Sequence, residues 1–213
     1  NRLVVLFGPS TRYIHEEIRR QVDVEGILLG EPERAFGAAC LALHPGREPT
    51  AKGQESPRTT VLLRAEELAP GYDDAGFLQN LDGLPHPAWD LLPFRRYRFL
   101  TVLSSRGCGD RCSYCPYVVA QGTRFRARSP DDVVAELAWL AAEFRPSRIV
   151  FRDPVFARDR ERVVRICEGI LSRGLCLNWE CESRPEHFDE ELLRLMHRAG
   201  CEGIKIGLET TSA

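Results

Sequence analysis

Short apolar runs alternate with amphipathic stretches along most of the chain. Residues 3–7 form an unbroken apolar run ended by Gly8 and Pro9, the pattern of a strand buried on both faces. The spacing predicts a helix over 13–20, a second strand over 24–29 closed by Gly30, and a second helix over 32–44 with Pro32 in its first turn. That order, β-α-β-α, is the pattern of a doubly wound α/β domain. Residues 45–57 are polar and rich in Gly and Pro and read as loop, and 59–64 reads as one strand of a small hairpin. The prolines of 84–93 predict a linker with buried apolar anchors.

From Phe99 onward the alternation is regular. A strand is predicted over 100–104. Ser129 then supplies an N-cap, Pro130 the first helical position and Asp131 and Asp132 an acidic first turn. Val133, Val134, Leu137, Leu140, Ala141 and Phe144 make one apolar face of that helix. A strand over 148–151 leads to a helix capped by Asp159, with Val163, Ile166, Cys167, Ile170 and Leu171 inward and Gly174 at its end. A strand over 175–181 follows. The next helix is capped by Asp189, faces inward through Leu192, Leu193, Met196 and Ala199, and ends at Gly200. A last strand covers 203–208. Successive β-α units build a parallel sheet or barrel whose chemistry sits at the C-terminal strand ends. Three segments follow: 1–48 as part of an α/β domain, 49–98 as a linker, and 99–213 as half of a barrel.

Composition narrows the setting. The chain has 213 residues, 43% hydrophobic and 28% charged, as a globular protein would. A net charge of −2 gives no strong pull toward nucleic acid or an anionic membrane. No run approaches the roughly 20 apolar residues of a membrane-spanning helix. Cys40, Cys167, Cys176, Cys181 and Cys201 fall in apolar periodic segments, as reduced buried thiols of a cytoplasmic protein do. The chain begins at Asn1 in a strand-like run and stops at Ala213 just after another, so both ends read as cuts in a longer protein.

The remaining cysteines, Cys108, Cys112 and Cys115, lie within twelve residues, Arg106-Gly-Cys-Gly-Asp-Arg-Cys-Ser-Tyr-Cys-Pro-Tyr117. Three thiolates at this spacing can hold three irons of a 4Fe–4S cluster and leave the fourth open. Gly107 and Gly109 let the loop bend around the sulfurs. Structural zinc asks for four ligands, and no second cysteine pair or nearby histidine provides them. A disulfide would leave one thiol of the three over.

The three-cysteine loop, with the aromatic Tyr114 before its last cysteine and a strand before its first, resembles the signature of the radical SAM superfamily. That resemblance implies S-adenosylmethionine (SAM) chelated to the open iron, reductive cleavage to a 5′-deoxyadenosyl radical, and hydrogen abstraction from a small-molecule substrate. It implies a reductant such as a flavodoxin or ferredoxin. It places Tyr114 beside the adenine, Asp153 near the SAM amino group and Glu209 on the ribose hydroxyls. Arg184, after the third barrel strand, has a guanidinium suited to clamping a carboxylate in bidentate fashion. Pro154 stands where the family often has a second acid, and Thr210 where it has serine. Glu180 and Glu182, on one side of a strand, are further candidate contacts. Each of these residues also has a plain reading, as packing aromatic, loop aspartate, surface arginine or surface glutamate.

Residues 3–11 and 22–33 are similar to the second half of the cobalamin-binding domain upstream of one radical SAM branch, and 84–89 to its linker. This implies cobalamin as a further cofactor, with Gly8, Gly30 and Glu31 the positions carried over; they also read as ordinary turn residues. The expected fold is a partial doubly wound, cobalamin-binding-like domain followed by a partial (β/α)6-type barrel. The expected reaction is radical chemistry on an unknown substrate, cobalamin-dependent methylation being common in this branch. A methylthiotransferase-like enzyme and a non-catalytic iron–sulfur or redox-sensing module are the rivals. Cys112→Ala is expected to abolish cluster assembly from iron and sulfide, whereas Cys167→Ala leaves it intact. Equal iron and sulfide content in the two variants would sink the assignment.

Overall fold

The computed structural model describes residues 4–8, 11–22, 24–43, 61–71, 73, 76–110 and 112–208. They fall into two units, residues 1–80 with 111–123, and residues 81–110 with 124–213. Among the described residues no helix is long and apolar enough to cross a membrane.

In the first unit β1 (Val5–Leu6), β2 (Gly26–Leu29) and β3 (Val61–Arg64) form a parallel sheet in that order. Helix α1 (Thr11–Gln21) joins β1 to β2, α2 (Phe36–Leu43) follows β2, and α3 (Ala65–Leu68) follows β3. Period-two alternation sorts the strand residues onto two faces. Ile27 and Leu29 pack with Leu6, Leu62 and Ile18 of α1. Leu28 and Leu63 pack with Val5 and with Ala39 and Leu43 of α2. Helices therefore cover both faces, which is why all four residues of β2 are buried and apolar.

In the second unit β4 (Leu100–Val102), β7 (Ile149–Phe151), β8 (Trp179–Glu182) and β9 (Cys201–Lys205) form a parallel sheet in the order β4-β7-β8-β9. Two-residue strands β5 (Ser105–Arg106) and β6 (Arg126–Ala127) pair antiparallel. Helices α5 (Pro130–Glu143), α6 (Arg160–Ser172) and α7 (Glu190–Arg198) alternate with the long strands; a short α4 (Tyr117–Gln121) follows the cysteine loop and belongs to the first unit. Each long helix starts at a side-chain cap: Ser129 accepts from the Asp132 N–H at 3.3 Å, Asp159 from Arg162 at 3.1 Å, and Asp189 from Leu192 at 2.7 Å. Such a cap contributes about 1 kcal/mol.

Leu100, Val102, Ile149, Phe151, Trp179 and Cys181 meet Leu137, Leu140, Val163, Ile166, Leu192 and Met196 in one core. Phe151, Phe156 and Trp179 meet there tilted or edge-to-face with ring centroids 4.6–5.5 Å apart, and the Trp179 indole N–H donates to the Ala199 carbonyl at 2.8 Å. On the sheet's other face Glu180 pairs with Lys205 at 2.7 Å and Arg148 at 3.3 Å, and Glu182 with Arg152 at 3.5 Å.

Several expectations are corrected. Residues 61–64 are not a hairpin strand but the parallel partner of β2, in register from Gly26 with Val61 to Leu29 with Arg64. The second helix starts at Phe36 rather than in the turn after Pro32, although the Phe36 N–H still bonds the Pro32 carbonyl at 2.8 Å. Strand β8 begins at Trp179, leaving Cys176 exposed on the approach to it. Strand β9 runs over 201–205 rather than 203–208, so Cys201 opens the strand and Leu208 is exposed. Leu193, expected inward, is 41% exposed because α7 buries the Leu192 and Met196 side. Residues 89–91 of the prolyl stretch and 94–96 just after it are single 3-10 turns.

Gly200 has φ +93°, and a Cβ there would stand 1.9 Å from the Leu177 carbonyl oxygen. Gly200→Ala therefore has no relaxed conformation and should cost at least about 2 kcal/mol. Denaturant unfolding checks it; a loss within about 0.5 kcal/mol, as at an ordinary surface site, would refute it.

Candidate cluster-binding site

The site begins where β4 ends. Ser104 and Ser105 are wholly buried where a strand would continue apolar, and Asp153, just past β7, is wholly buried beside them. The Ser104 hydroxyl is shared between the two Asp153 carboxylate oxygens at 3.0 and 3.1 Å, and Ser105 donates to the same carboxylate in a shorter bond. The Ser104 carbonyl accepts from Arg162 Nη2 at 2.8 Å and from the Arg128 N–H at 3.0 Å. Arg162 Nε donates to the Arg128 carbonyl at 3.0 Å, and the Arg128 guanidinium bonds Asp132 at 2.6 Å and the buried Glu136. Burial pushes the Asp153 carboxyl above its ordinary value, against the Ser105 hydrogen bond and the Arg162 charge, and burial lowers Arg162.

This network fixes the path into the cysteine loop, and the β5–β6 ladder closes it at Arg106 paired with Arg126. Gly107 then turns at φ +77°, a conformation glycine alone adopts freely. The Cys108 residue is 7% exposed. Burial raises its thiol above the ordinary value, opposed by a hydrogen bond from the Asp110 N–H. Burial would also raise the Asp110 carboxyl, but Arg158 and then Arg184 hold it below the usual carboxylate range. Cys112 and Cys115 belong to the other unit, half-buried in a turn where the Cys115 N–H bonds the Cys112 carbonyl at 3.3 Å. The Tyr114 residue between them is 64% exposed.

Among the described residues no group of three His, Cys, Asp or Glu side chains is gathered as a metal site. The donor set nevertheless fits a cluster: all eight cysteines are free, and three of them share one glycine-turned loop. Cys167, Cys181 and Cys201 lie in the core of the second unit, where burial pushes the Cys167 thiol up to about 12, the setting of inert packing thiols.

The other expected residues sort as follows. The Asp153 carboxylate faces inward to two serines. Arg184 pairs with Asp110 at 3.0 Å and Glu186 at 3.1 Å. Gly8 ends β1 at φ +141° with open space around it. Gly30 ends β2 at φ +113°, where a Cβ would meet the Gly76 carbonyl at 2.7 Å. Glu31 accepts from the Leu78 N–H at 2.7 Å, so both residues hold the 76–78 segment. Glu180 and Glu182 share the ion-paired face of the sheet. Glu209 and Thr210 lie outside the described residues. Sequence reasoning passed over Ser104, Ser105, Arg128, Arg162, Asp110 and Arg158; the polar pair directly after a strand and the acid inside the cysteine loop were the available signals.

Comparison with known proteins bears on the same segment. The family model described as the Radical SAM superfamily matches residues 102–213, and the chain belongs to that superfamily. An uncharacterized methyltransferase of Pyrococcus horikoshii is 31% identical over 218 residues, all of this chain and 46% of that protein. An anaerobic magnesium-protoporphyrin IX monomethyl ester cyclase of Synechocystis is 22% identical over 99% of this chain and 42% of its own length. The radical S-adenosylmethionine methyltransferase TsrM from Kitasatospora setae, solved with cobalamin and a [4Fe-4S] cluster bound, aligns with a TM-score of 0.69 at 22% identity over 96% of this chain and 42% of that one. The chain spans a little under half the length of these relatives.

Asp153→Ala would leave two buried hydroxyls without their acceptor and the buried Arg162 without the nearby negative charge, at a cost of about 3 kcal/mol in urea unfolding. Asp153→Asn, which keeps the shape and one acceptor oxygen, is expected to lose less. An alanine variant as stable as the parent would show that the network does not hold the unit together.

Proposed function

We propose that the protein of which this chain is part is a radical SAM enzyme that methylates a small-molecule substrate with the help of cobalamin. The observation that carries the reading is the Cys108, Cys112 and Cys115 loop inside the matched segment 102–213. The three thiolates would hold a 4Fe–4S cluster with one iron open. When bound, the cluster supplies the electron that cleaves the SAM sulfonium, and cobalamin supplies a methyl carrier.

The chain's own residues prepare that chemistry. Gly107 and the β5–β6 ladder aim the loop, Tyr114 offers a face to the adenine, and Glu209 offers a carboxylate to the ribose hydroxyls. Asp153 acts on the cofactor site through Ser104 and Ser105, whose backbone leads to Cys108. Residues 1–48, with β3 completing their sheet, contribute part of a cobalamin-binding-like domain through Gly8, Gly30 and Glu31 at strand ends; the rest of 49–98 is the connection, and 99–213 part of the (β/α)6-type barrel. A flavodoxin- or ferredoxin-like reductant in the cytoplasm provides the electron, in keeping with eight free thiols. A second reading, radical cyclisation, is favoured by the likeness to the Synechocystis cyclase over 99% of the chain.

Anaerobic reconstitution with iron and sulfide, reduction, and electron paramagnetic resonance with and without SAM test the central claim. A cubane signal that shifts on adding SAM is the expected result. A cluster signal blind to SAM would point to an electron-transfer or sensing module, and tightly held zinc with no cluster would overturn the reading.

A further inference from the structure

Asp110 lies two residues past Cys108 and joins its carboxylate to cations from two different strand-end loops. Oδ1 accepts from Arg158 Nη1 at 3.1 Å, in the 3-10 turn after β7, and Oδ2 accepts from Arg184 Nη1 at 3.0 Å, just after β8. The Asp110 and Arg158 side chains are 24% and 30% exposed, so this pair is partly shielded from water, and Arg184 is steadied by Glu186. Cys108 itself is buried although residues 107–110 have no regular structure. The β5–β6 ladder anchors the segment upstream of it, and the Asp110 pairs supply an anchor downstream.

We propose that Asp110 is a positioning residue for the cluster: shared between Arg158 and Arg184, it latches the start of the cysteine loop to the C-terminal ends of β7 and β8 and fixes where the Cys108 thiol points. The role in cluster binding rests on the reading above; the latch itself does not. The arrangement also sets two cations and one anion beside a ligand whose cluster gains negative charge on reduction.

The test uses reduced, cluster-free protein under anaerobic conditions. Iodoacetamide labelling of each cysteine is followed by peptide mass spectrometry. Asp110→Asn and the double variant Arg158→Gln/Arg184→Gln are each expected to speed Cys108 labelling about fivefold, with Cys167 labelling and the melting temperature unchanged. The two variants alter the charge near Cys108 in opposite senses, so a shared acceleration reports access rather than thiol acidity. The triple variant should show no further increase, and Asp110→Glu should restore much of the protection. After reconstitution, a chelator should strip iron faster from the same variants. Unchanged Cys108 labelling, effects that multiply in the triple variant, or a parallel rise at Cys167 would each overturn the latch. A parent that takes up no cubane would defeat the cluster reading while the labelling still decides the latch.

Discussion

The second unit depends on how it tolerates charge inside. Asp153 is fully buried, and Glu136, Arg162 and Arg128 nearly so. Each would be costly alone, because an unpaired ion in a low-dielectric interior loses its hydration without compensation. The cost is limited by chaining them. Asp153 takes serine hydroxyls, Arg162 binds the carbonyls of Ser104 and Arg128, and Arg128 reaches Asp132 and Glu136. These bonds join the ends of β4 and β7 to α5 and α6. Buried charges tied to backbone carbonyls restrict the backbone at the centre of the network, and here that backbone enters the cysteine loop.

Around that centre the arrangement is layered. The helix-facing side of the sheet is apolar, filled by Phe151, Phe156 and Trp179, while the other side carries Arg148, Glu180, Lys205, Arg152 and Glu182 in pairs. The same strands thus serve two solvents: odd positions of β8 build the core, and even positions stay polar. The polar chemistry of the loops then stands on a rigid apolar support, as positioning of a reactive cofactor requires.

Much of this was legible in the sequence because local rules agreed. The caps Ser129, Asp159 and Asp189 lie where capping preference puts them, and the apolar faces of α5 and α6 follow the helical period. Boundaries slipped where tertiary pairing overrode local pattern. The run 203–208 is apolar enough for a strand, yet β9 opens two residues earlier because Cys201 pairs with Trp179 ahead of a register shift. Residues 61–64 look like a hairpin strand because the pairing with β2 is distant in sequence. The cysteine triad was plain from spacing alone. Its supports were not, since Ser104, Arg162 and Asp110 gain their meaning only from residues 24 to 74 positions away.

The thiols of the chain are also graded by depth. Cys108, Cys167, Cys181 and Cys201 are buried, Cys40, Cys112 and Cys115 are intermediate, and Cys176 alone stands open to solvent on the approach to β8. Oxygen therefore meets a thiol at the surface before it meets the deeper ones. A preparation handled in air would join two molecules through Cys176, oxygen taking the two electrons as the disulfide forms, and a thiol reductant would part them again.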